Sequence, residues 1–488
     1  MSKEVIEGLK PELIWNYFYE ISQVPRPSKK EEKIIEYVKK FAADRNLELK
    51  QDETGNLVIK VPATPGYENA PTVVLQGHLD IVCEKNKGTE HDFDNDPIKL
   101  IRDGEWITAD GTTLGADNGI GVAAAMALST DPDVTHGPLE ILCTVDEETG
   151  MTGVMGLQPG FISGEMLLNM DSEEDGAFYV GCSGGQDTMG VFKISWAQAK
   201  KDLAPYELMV TGLKGGHSGL DVAAGRGNAI QMLGRMLKKF PVKYRVAKLI
   251  GGSKRNAIPR EAEAVILIDP KDESTVAEFA KKYVADLLLE YEKNDGGLDI
   301  TLKKLNDNYD KVWKKKFTKR IVNALSSLPN GIQAMSADIP DLVETSTNLA
   351  TVTMEGDELR IGTSQRSSIE PAKHAISGAV KAILELAGAD EILVGDGYPG
   401  WQPNMDSALL KFSKEVFNEM YGKDPEIKAI HAGLECGLLG ATYPGLDMIS
   451  FGPTIEGAHS PDEKLNIKDV EKFYNLGKAL LEKIAKKN

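Results

Sequence analysis

Five short polar clusters contain the residue types that could bind metal ions and activate water. Their candidate ligands are histidine, aspartate and glutamate, and none of the clusters contains a cysteine. Nitrogen and oxygen ligands of this kind suit a hydrolytic pair of zinc-like ions better than a structural zinc. The pattern therefore indicates a two-metal hydrolytic site. The clusters are Gly77-His78-Leu79-Asp80, Gly115-Ala116-Asp117-Asn118-Gly119, Asp146-Glu147-Glu148-Thr149-Gly150, Asp171 and Ala458-His459-Ser460.

Short apolar runs precede most of these clusters. Residues 72–75, 139–145, 166–168 and 448–451 have the length and composition of buried strands. In an open α/β sheet, the loops beyond the carboxyl ends of the strands line the functional crevice. We therefore expect an α/β fold in which the polar clusters converge at one edge of a sheet.

Two helices are predicted next to the clusters. Residues 119–129 are rich in alanine, and a helix there places Asp117 at its amino-terminal edge. Residues 30–41 carry apolar side chains at helical spacing, and Ser28 is their predicted N-cap.

Length and charge limit the classes of partner. The chain has 488 residues, 74 of them acidic and 56 basic, so its formal net charge is −18. This balance disfavours a nucleic-acid backbone or an anionic membrane as the partner. Small substrates fit better, and the length predicts two to four domains.

Cysteine usage and the amino terminus point to a cytoplasmic protein. Cys83, Cys143, Cys182 and Cys436 are far apart and form no CxxC pair, as expected of free thiols in a reducing compartment. No apolar segment approaches the roughly 18 residues of a membrane span, and no signal-peptide pattern opens the chain.

The pattern of predicted strands and helices changes after Gly184-Gly185 and again at the turn-rich segment 398–401. The intervening residues alternate strands and helices in the manner of an α+β module. We therefore predict a discontinuous catalytic domain, 1–185 and 398–488, interrupted by an inserted lid or dimerisation domain, 186–397.

Six motifs in order resemble those of the M20 metallopeptidases, and among these the cytosolic dipeptidases. Each motif alone is weak, but six in sequence along the whole chain are specific. They are Gly-His-Leu-Asp at 77–80, Gly-Ala-Asp-Asn-Gly at 115–119, Asp-Glu-Glu-Thr-Gly at 146–150, Asn-Met-Asp-Ser-Glu-Glu at 169–174, Gly-Gly-His-Ser-Gly at 215–219 and Gly-Ala-His-Ser-Pro at 457–461. The resemblance implies a di-zinc exopeptidase-like fold.

The resemblance also implies a ligand set for two divalent ions. Asp117 would bridge both ions, His78 and Asp171 would complete one, and Glu148 and His459 would complete the other. Zinc is the metal that the resemblance implies, while cobalt and manganese suit the same ligands.

Two carboxylates are expected to support the metal site without binding metal. Asp80 would orient His78, because a ligating imidazole usually donates its other N–H to a carboxylate or carbonyl. Neighbouring side chains in an extended segment point to opposite faces, so one of Glu147 and Glu148 can bind metal while the other faces the water. The chemistry does not decide between them, and the resemblance assigns the general base to Glu147.

Four further residues are candidates for substrate binding. The resemblance gives His217 the role of hydrogen-bonding the carbonyl that becomes an oxyanion, from the same subunit or from the partner in a homodimer. Arg366, with Asn256 beside it, could grip the substrate carboxylate, although a surface ion pair is an equal interpretation of Arg366. Glu435 could pair with the substrate's free amino group.

The predicted activity is hydrolysis of dipeptides with broad specificity, and the resemblance adds Xaa-His substrates. An N-acyl-amino-acid amidohydrolase or a tripeptidase on the same scaffold stays open, since a fold does not dictate a substrate. A non-catalytic peptide-binding module disagrees with a complete set of ligands and a base. A serine hydrolase is weaker still, because neither Ser183 nor Ser218 lies in a Gly-x-Ser-x-Gly elbow.

Overall fold

The computed structural model describes residues 3–486 and confirms the predicted α/β class. Contacts divide the chain into two compact units. The first unit comprises residues 3–181, 403–429 and 434–486, and the second comprises Cys182–Gln402 and Ile430–Gly433. The sequence predicts boundaries at 185/186 and 397/398, and it does not predict that 430–433 belong to the second unit.

The α-helices of the described chain, in order, are α1 Glu12–Ser22, α2 Glu32–Ala43, α3 Ala116–Thr130, α4 Thr152–Gly156, α5 Ala229–Lys238, α6 Glu273–Asp295, α7 Lys315–Ser327, α8 Glu370–Leu386, α9 Ala408–Tyr421, α10 Glu435–Thr442 and α11 Ile467–Ala485. Within the described residues, no helix is both long enough and apolar enough to cross a membrane.

The strands, in order, are β1 Glu48–Gln51, β2 Leu57–Val61, β3 Val73–His78, β4 Leu100–Asp103, β5 Trp106–Ala109, β6 Leu139–Thr144, β7 Met166–Asn169, β8 Ala177–Cys182, β9 Gly184–Lys193, β10 Trp196–Gln198, β11 Ala204–Thr211, β12 Gly216–His217, β13 Arg245–Gly251, β14 Ala257–Ile258, β15 Ala262–Ile268, β16 Asp299–Lys304, β17 Lys311–Trp313, β18 Gly331–Met335, β19 Val343–Glu355, β20 Glu358–Ser367, β21 Glu391–Val394, β22 Glu426–Ile430, β23 Asp447–Ser450, β24 Ile455–Glu456 and β25 Lys464–Asn466.

The first unit is built on a sheet with the strand order β1-β2-β6-β3-β7-β23-β8-β22. Its central strands β6, β3, β7 and β23 pair in parallel. Every residue of β3 and of β6 is buried, as expected for strands covered on both faces. Because parallel strands end at the same edge of the sheet, the segments that follow β3, β6 and β7 emerge side by side.

Helix α3 packs against β3 and α1 and is buried along most of its length. Its small residues permit this close packing. A Cβ added at Gly121 would lie well inside contact distance of the Met170 carbonyl oxygen, just past the end of β7. The glycine therefore lets the start of α3 approach the edge of the sheet where the polar clusters lie.

The second unit contains a nine-stranded sheet with the order β16-β11-β15-β13-β19-β20-β9-β21, in which β18 also pairs with β19. Helices α5 to α8 contribute apolar side chains to a continuous core beside this sheet. Asn228 caps α5 by accepting a hydrogen bond from the Gln231 N–H. Strands β19 and β20 form a hairpin that turns after Glu355.

The predicted cap of α2 is wrong. The residue before α2 is Glu31, and the Ser28 hydroxyl donates to the Asp80 carboxylate at 2.8 Å instead of capping the helix. The buried Asp80 carboxylate requires hydrogen-bond donors, and the Ser28 hydroxyl binds it in preference to the amides at the start of the helix. The glycine-rich segment from Gly433 also holds a helix, α10, that the sequence did not predict.

Candidate metal centre

All the predicted metal ligands lie in the first unit, and the fold brings them together. His78 is the last residue of β3, and Asp171 follows β7 by two residues. Glu148 lies in the turn after β6. Asp117 lies in the first turn of α3, where its ψ of 109° interrupts the helix. His459 lies in the loop between β24 and β25, with a left-handed φ of 62°.

The five side chains form two groups that share one carboxylate. In the first group, His78 Nε2 lies 2.9 Å from Asp117 Oδ1 and 3.3 Å from Asp171 Oδ1. In the second group, His459 Nε2 lies 3.1 Å from Asp117 Oδ2 and 3.0 Å from Glu148 Oε2. One ligand atom from each member of a group lies within 4.8 Å of the others. Asp117 thus offers one oxygen to each group, as a bridging carboxylate does.

The donor set and its charge fit two divalent cations. Asp171 Oδ1 and Glu148 Oε1 are buried and accept no hydrogen bond from the described residues. Burial, followed by the charges of Asp117 and Glu148, raises the pKa of Asp171 to about 7 against the opposing effect of His78. Neighbouring carboxylates that accept few hydrogen bonds are costly to bury unless cations neutralise them.

Asp80 holds both His78 and the turn after β6. Its Oδ1 lies 3.4 Å from His78 Nδ1 and accepts the Glu147 N–H, while its Oδ2 accepts the Glu148 N–H and the Ser28 hydroxyl. Burial would raise the pKa of Asp80, but His78 and these donors lower it to about 2. Asp80 therefore stays ionised and orients two polar clusters at once.

Glu147 lies close to one residue of each ligand group. One of its carboxylate oxygens is within 4.8 Å of a ligand atom of His78 and of Glu148. Burial raises the pKa of Glu147 well above the usual range, opposed by His78 and reinforced by the charges of Asp171 and Glu435. A carboxyl group with a raised pKa is suited to accept and return a proton near neutral pH.

Glu435 is the first residue of α10 and is completely buried. Its Oε2 accepts hydrogen bonds from Gln76 Nε2 at 2.6 Å and from Thr144 Oγ1 at 2.7 Å, and its Oε1 has no partner among the described residues. Burial raises the pKa of Glu435 to about 7. The carboxyl group therefore lies against side chains of β3 and β6, where the charges of His78 and Asp171 also act on it.

In the second unit, His217 is held as a neutral hydrogen-bond donor. Its Nδ1 accepts the N–H groups of Gly219 and Leu220, at 3.2 and 3.0 Å, so its proton is on Nε2. Burial and the charge of Arg366 lower its pKa. Asn256 is exposed and lies in the segment that pairs with the His217 segment, where its carbonyl accepts the Ser218 N–H.

Arg366 is buried in β20, and its surface ion-pair interpretation is wrong. The residue is 8% exposed, its guanidinium donates to the Tyr398 hydroxyl, and it makes no ion pair with the described residues. Its Nε has no partner there. A buried guanidinium in this state is available for a carboxylate. His431 has a structural contact in the same unit, from its Nε2 to Ser346 Oγ at 2.7 Å.

Sequence reasoning missed three polar side chains that hold the segments of the candidate metal centre. Ser28 contacts Asp80, Arg26 donates to main-chain carbonyls of two ligand-bearing loops, and Glu463 accepts main-chain N–H groups around Asp117. Two features of the sequence could have indicated these side chains. Arg26 and Ser28 lie in a polar Pro-Arg-Pro-Ser break between two helices, and Glu463 is an acidic residue four positions after His459. A further acidic group, Glu31, Asp80 and Asp146, is also buried here.

Comparisons with known proteins agree with this geometry. Residues 74–483 match the model of peptidase family M20/M25/M40. A cytosol non-specific dipeptidase from Escherichia coli (strain K12) is 40% identical over 485 residues, which is 99% of each chain. The crystal structure of an aminoacylhistidine dipeptidase from Vibrio alginolyticus superposes with a TM-score of 0.91 at 41% identity, covering 98% of both chains.

A more distant structure shares the fold alone. An aminopeptidase PepT from Bacillus cereus has a TM-score of 0.58 at 17% identity, covering 98% of this chain and 100% of its own. The family match spans most of the chain, and relatives at about 40% identity extend over nearly all of it. The protein that presents Asp117 between two histidines belongs to peptidase family M20/M25/M40.

Proposed function

We propose that this protein is a metal-dependent dipeptidase of broad specificity that also cleaves Xaa-His dipeptides. The observation that carries the proposal is Asp117, whose two oxygens each approach a histidine, at 2.9 and 3.1 Å. Relatives similar over nearly the whole chain are named cytosol non-specific dipeptidase and aminoacylhistidine dipeptidase, which supports dipeptides as substrates and the cytoplasm as location.

The proposed cofactors are two divalent ions, zinc in the first instance, with cobalt and manganese as alternatives. His78, Asp117 and Asp171 would hold one ion, and Asp117, Glu148 and His459 would hold the other. Such ions polarise a substrate carbonyl and lower the pKa of water from about 16 to about 7. The absence of cysteine among the ligands suits a catalytic pair of this kind.

Glu147 is the proposed general base. Its carboxylate would take a proton from the attacking water and return it to the nitrogen of the leaving amine as the peptide bond breaks. The raised pKa of Glu147 supports this shuttle. Asp80 would hold His78, Glu147 and Glu148 in fixed relative positions, since it contacts His78 and the main chain of both glutamates.

His217 is proposed to donate from Nε2 to the carbonyl oxygen that becomes negatively charged. The two N–H groups on its Nδ1 support this tautomer. Removing one oxyanion donor typically costs about 10²–10³ in kcat. The proposal includes a homodimer, and it leaves open whether His217 acts in its own subunit or in the partner.

Recognition of both ends of the substrate would select dipeptides. Arg366 is proposed to bind the terminal carboxylate with Asn256 beside it. Its buried guanidinium supports this role, because it makes no ion pair with the described residues and its Nε has no partner among them. Glu435 is proposed to pair with the free amino group, supported by its Oε1, which has no partner in the described part of the chain. Equal hydrolysis of free and N-acetylated dipeptides would contradict this role of Glu435.

A substrate panel with metal control tests the proposed function. Purified protein is assayed on a plain dipeptide, an Xaa-His dipeptide, a tripeptide and an N-acyl amino acid, before chelation, after chelation, and after zinc, manganese or cobalt is restored. We expect dipeptide cleavage that chelation removes and metal restores. Cleavage of the N-acyl amino acid alone or the tripeptide alone would replace the proposal with that activity, and cleavage of none would indicate a binding module.

A further inference from the structure

The loop between β24 and β25 carries two side chains that reach Asp117. His459 contacts the Asp117 carboxylate, and Glu463 is the last residue before β25. The loop is held by its own hydrogen bonds, from the Ser460 hydroxyl to the Gly457 carbonyl and from the Glu463 N–H to the Ser460 carbonyl. His459 and Glu463 therefore occupy one compact turn and cannot move independently over long distances.

Glu463 is 2% exposed and accepts four consecutive main-chain N–H groups at the start of α3. These amides have no acceptor within the helix. A carboxylate is a strong acceptor for them and is also favoured at a helix amino terminus. The bonds are Leu114 N–H at 2.7 Å and Gly115 N–H at 2.9 Å to Oε2, and Ala116 N–H at 2.7 Å and Asp117 N–H at 3.3 Å to Oε1.

Arg26 holds the carbonyl side of the same segment. Its buried guanidinium donates to the Gly115 carbonyl at 2.5 Å and to the carbonyls of Leu79 and Asp80 at 2.9 and 3.2 Å. Gly115 has a left-handed φ of 69°, and Asp117 departs from helical geometry. Regular helix geometry therefore does not set the direction of the Asp117 side chain. The main chain of Asp117 is held by Glu463, and that of Gly115 is held by both Glu463 and Arg26.

We propose that Glu463 is a positioning residue that fixes the distance between Asp117 and His459. It binds the main chain of Asp117 from the same turn that presents His459, so one loop locates two of the three side chains in the second ligand group. The inference rests on the proposed two-metal centre. Glu463 would act through Asp117 and His459, without touching metal or substrate.

Metal titration of the Glu463→Gln variant tests this role. The amide keeps the size of the carboxylate, but only one of its two polar atoms can accept an N–H. Full-length protein stripped with a chelator is titrated with zinc calorimetrically, and with cobalt while the visible absorption of each equivalent is recorded. Wild type should bind two ions. The second ion is the one that Asp117, Glu148 and His459 would hold. The variant should bind it about 10–100-fold more weakly, as is typical when a supporting residue is lost.

The matched control is Glu456→Gln, in β24 of the same hairpin. Glu456 is exposed and pairs with Lys464, and it makes no described contact with the Asp117 segment. This control should bind both ions as wild type does. An equal loss in the control would show a general sensitivity of the hairpin and overturn the inference. Unchanged affinity for both ions in a folded Glu463→Gln protein would overturn it as well.

Thr108→Val provides a milder variant if Glu463→Gln does not fold. The Thr108 hydroxyl donates to the Glu463 carbonyl at 2.9 Å, so valine loosens Glu463 while its carboxylate stays. We expect about two- to tenfold weaker binding of the second ion, the usual value of one hydrogen bond. Wild-type affinity for that ion in Thr108→Val, with Glu463→Gln unfolded, would count against the inference.

The titration requires no substrate, so it separates the two proposals. Wild type that binds two ions and cleaves no dipeptide, with a weakened second site in Glu463→Gln, would remove the proposed activity and support the role of Glu463. Wild type that cleaves dipeptides, with unchanged metal affinities in Glu463→Gln, would do the reverse.

Discussion

Glu147 combines a central position in the metal centre with a raised pKa, and the two together predict the effect of removing its charge. In Glu147→Gln the side chain keeps its size and loses the ability to accept a proton. We expect kcat on a dipeptide to fall by about 10²–10⁴, the usual contribution of a general base. The number of bound metal ions should stay at the wild-type value, because Glu147 is not among the proposed ligands.

The control for Glu147→Gln is the same exchange at Glu53, which is exposed in the first unit. Glu53→Gln should keep wild-type kcat and metal content. A Glu147→Gln protein that keeps most of its kcat would assign the base to another group. One that loses metal together with activity would make Glu147 a ligand.

His431 predicts a pH dependence of stability that is separate from the metal centre. Burial, then the charge of Arg366, lowers the pKa of His431 from 6.5 to about 4. Its neutral form is therefore favoured by folding. The stability it contributes is complete above pH 6.5 and is lost as the pH falls through about 4. The shift corresponds to about 3 kcal/mol.

Urea unfolding of wild type and His431→Gln between pH 7 and pH 4 measures this contribution. Wild type should lose more unfolding free energy over this interval than the variant. His374→Gln is the control, because His374 is 62% exposed, and it should follow wild type. Parallel curves for wild type and His431→Gln would show that His431 is protonated as easily in the folded state as in the unfolded state.

At the scale of elements, the strands and helices with a regular apolar pattern could be predicted from the sequence. The strands before His78 and Glu147 and the helix after Asp117 were predicted to within a few residues, because apolar runs and helical spacing are local signals. The Ser28 cap was wrong and the contacts of Glu463 were missed. Both side chains form their bonds with residues far along the chain, which local spacing does not contain.

The close contact between α3 and the end of β7 predicts opposite effects for two glycine exchanges. In Gly121→Ala the new methyl group would collide with the Met170 carbonyl, so we expect a loss of about 1–3 kcal/mol of unfolding free energy. Gly378 lies in α8, where an added methyl group would meet none of the described residues within 4 Å, and Gly378→Ala should gain about 0.5–1 kcal/mol. Thermal or urea unfolding measures both, and equal effects of the two exchanges would contradict the contact argument.

At the scale of the whole molecule, the chain consists of two units with separate cores, and each unit carries different candidate residues. The proposed metal ligands, Asp80 and Glu147 belong to the first unit, and His217, Asn256 and Arg366 belong to the second. A change in element pattern near residue 184 was visible in the sequence. The return of 430–433 to the second unit was not, because four residues, the last of β22 and the three after it, are too few to show a periodicity.

This division predicts how metal removal affects unfolding. A ligand that binds only the folded state stabilises it by about 2.7 kcal/mol at 100 times its Kd, so two such ions would add about 5 kcal/mol. Because every proposed ligand lies in the first unit, chelation should lower the transition temperature of that unit and leave the second unit's transition in place. Calorimetry with and without chelator measures this, and Gly121→Ala and Gly378→Ala assign the transitions to the first and second units. A single transition that chelation lowers would mean that the units unfold as one, and no shift in any transition would contradict the two-ion centre.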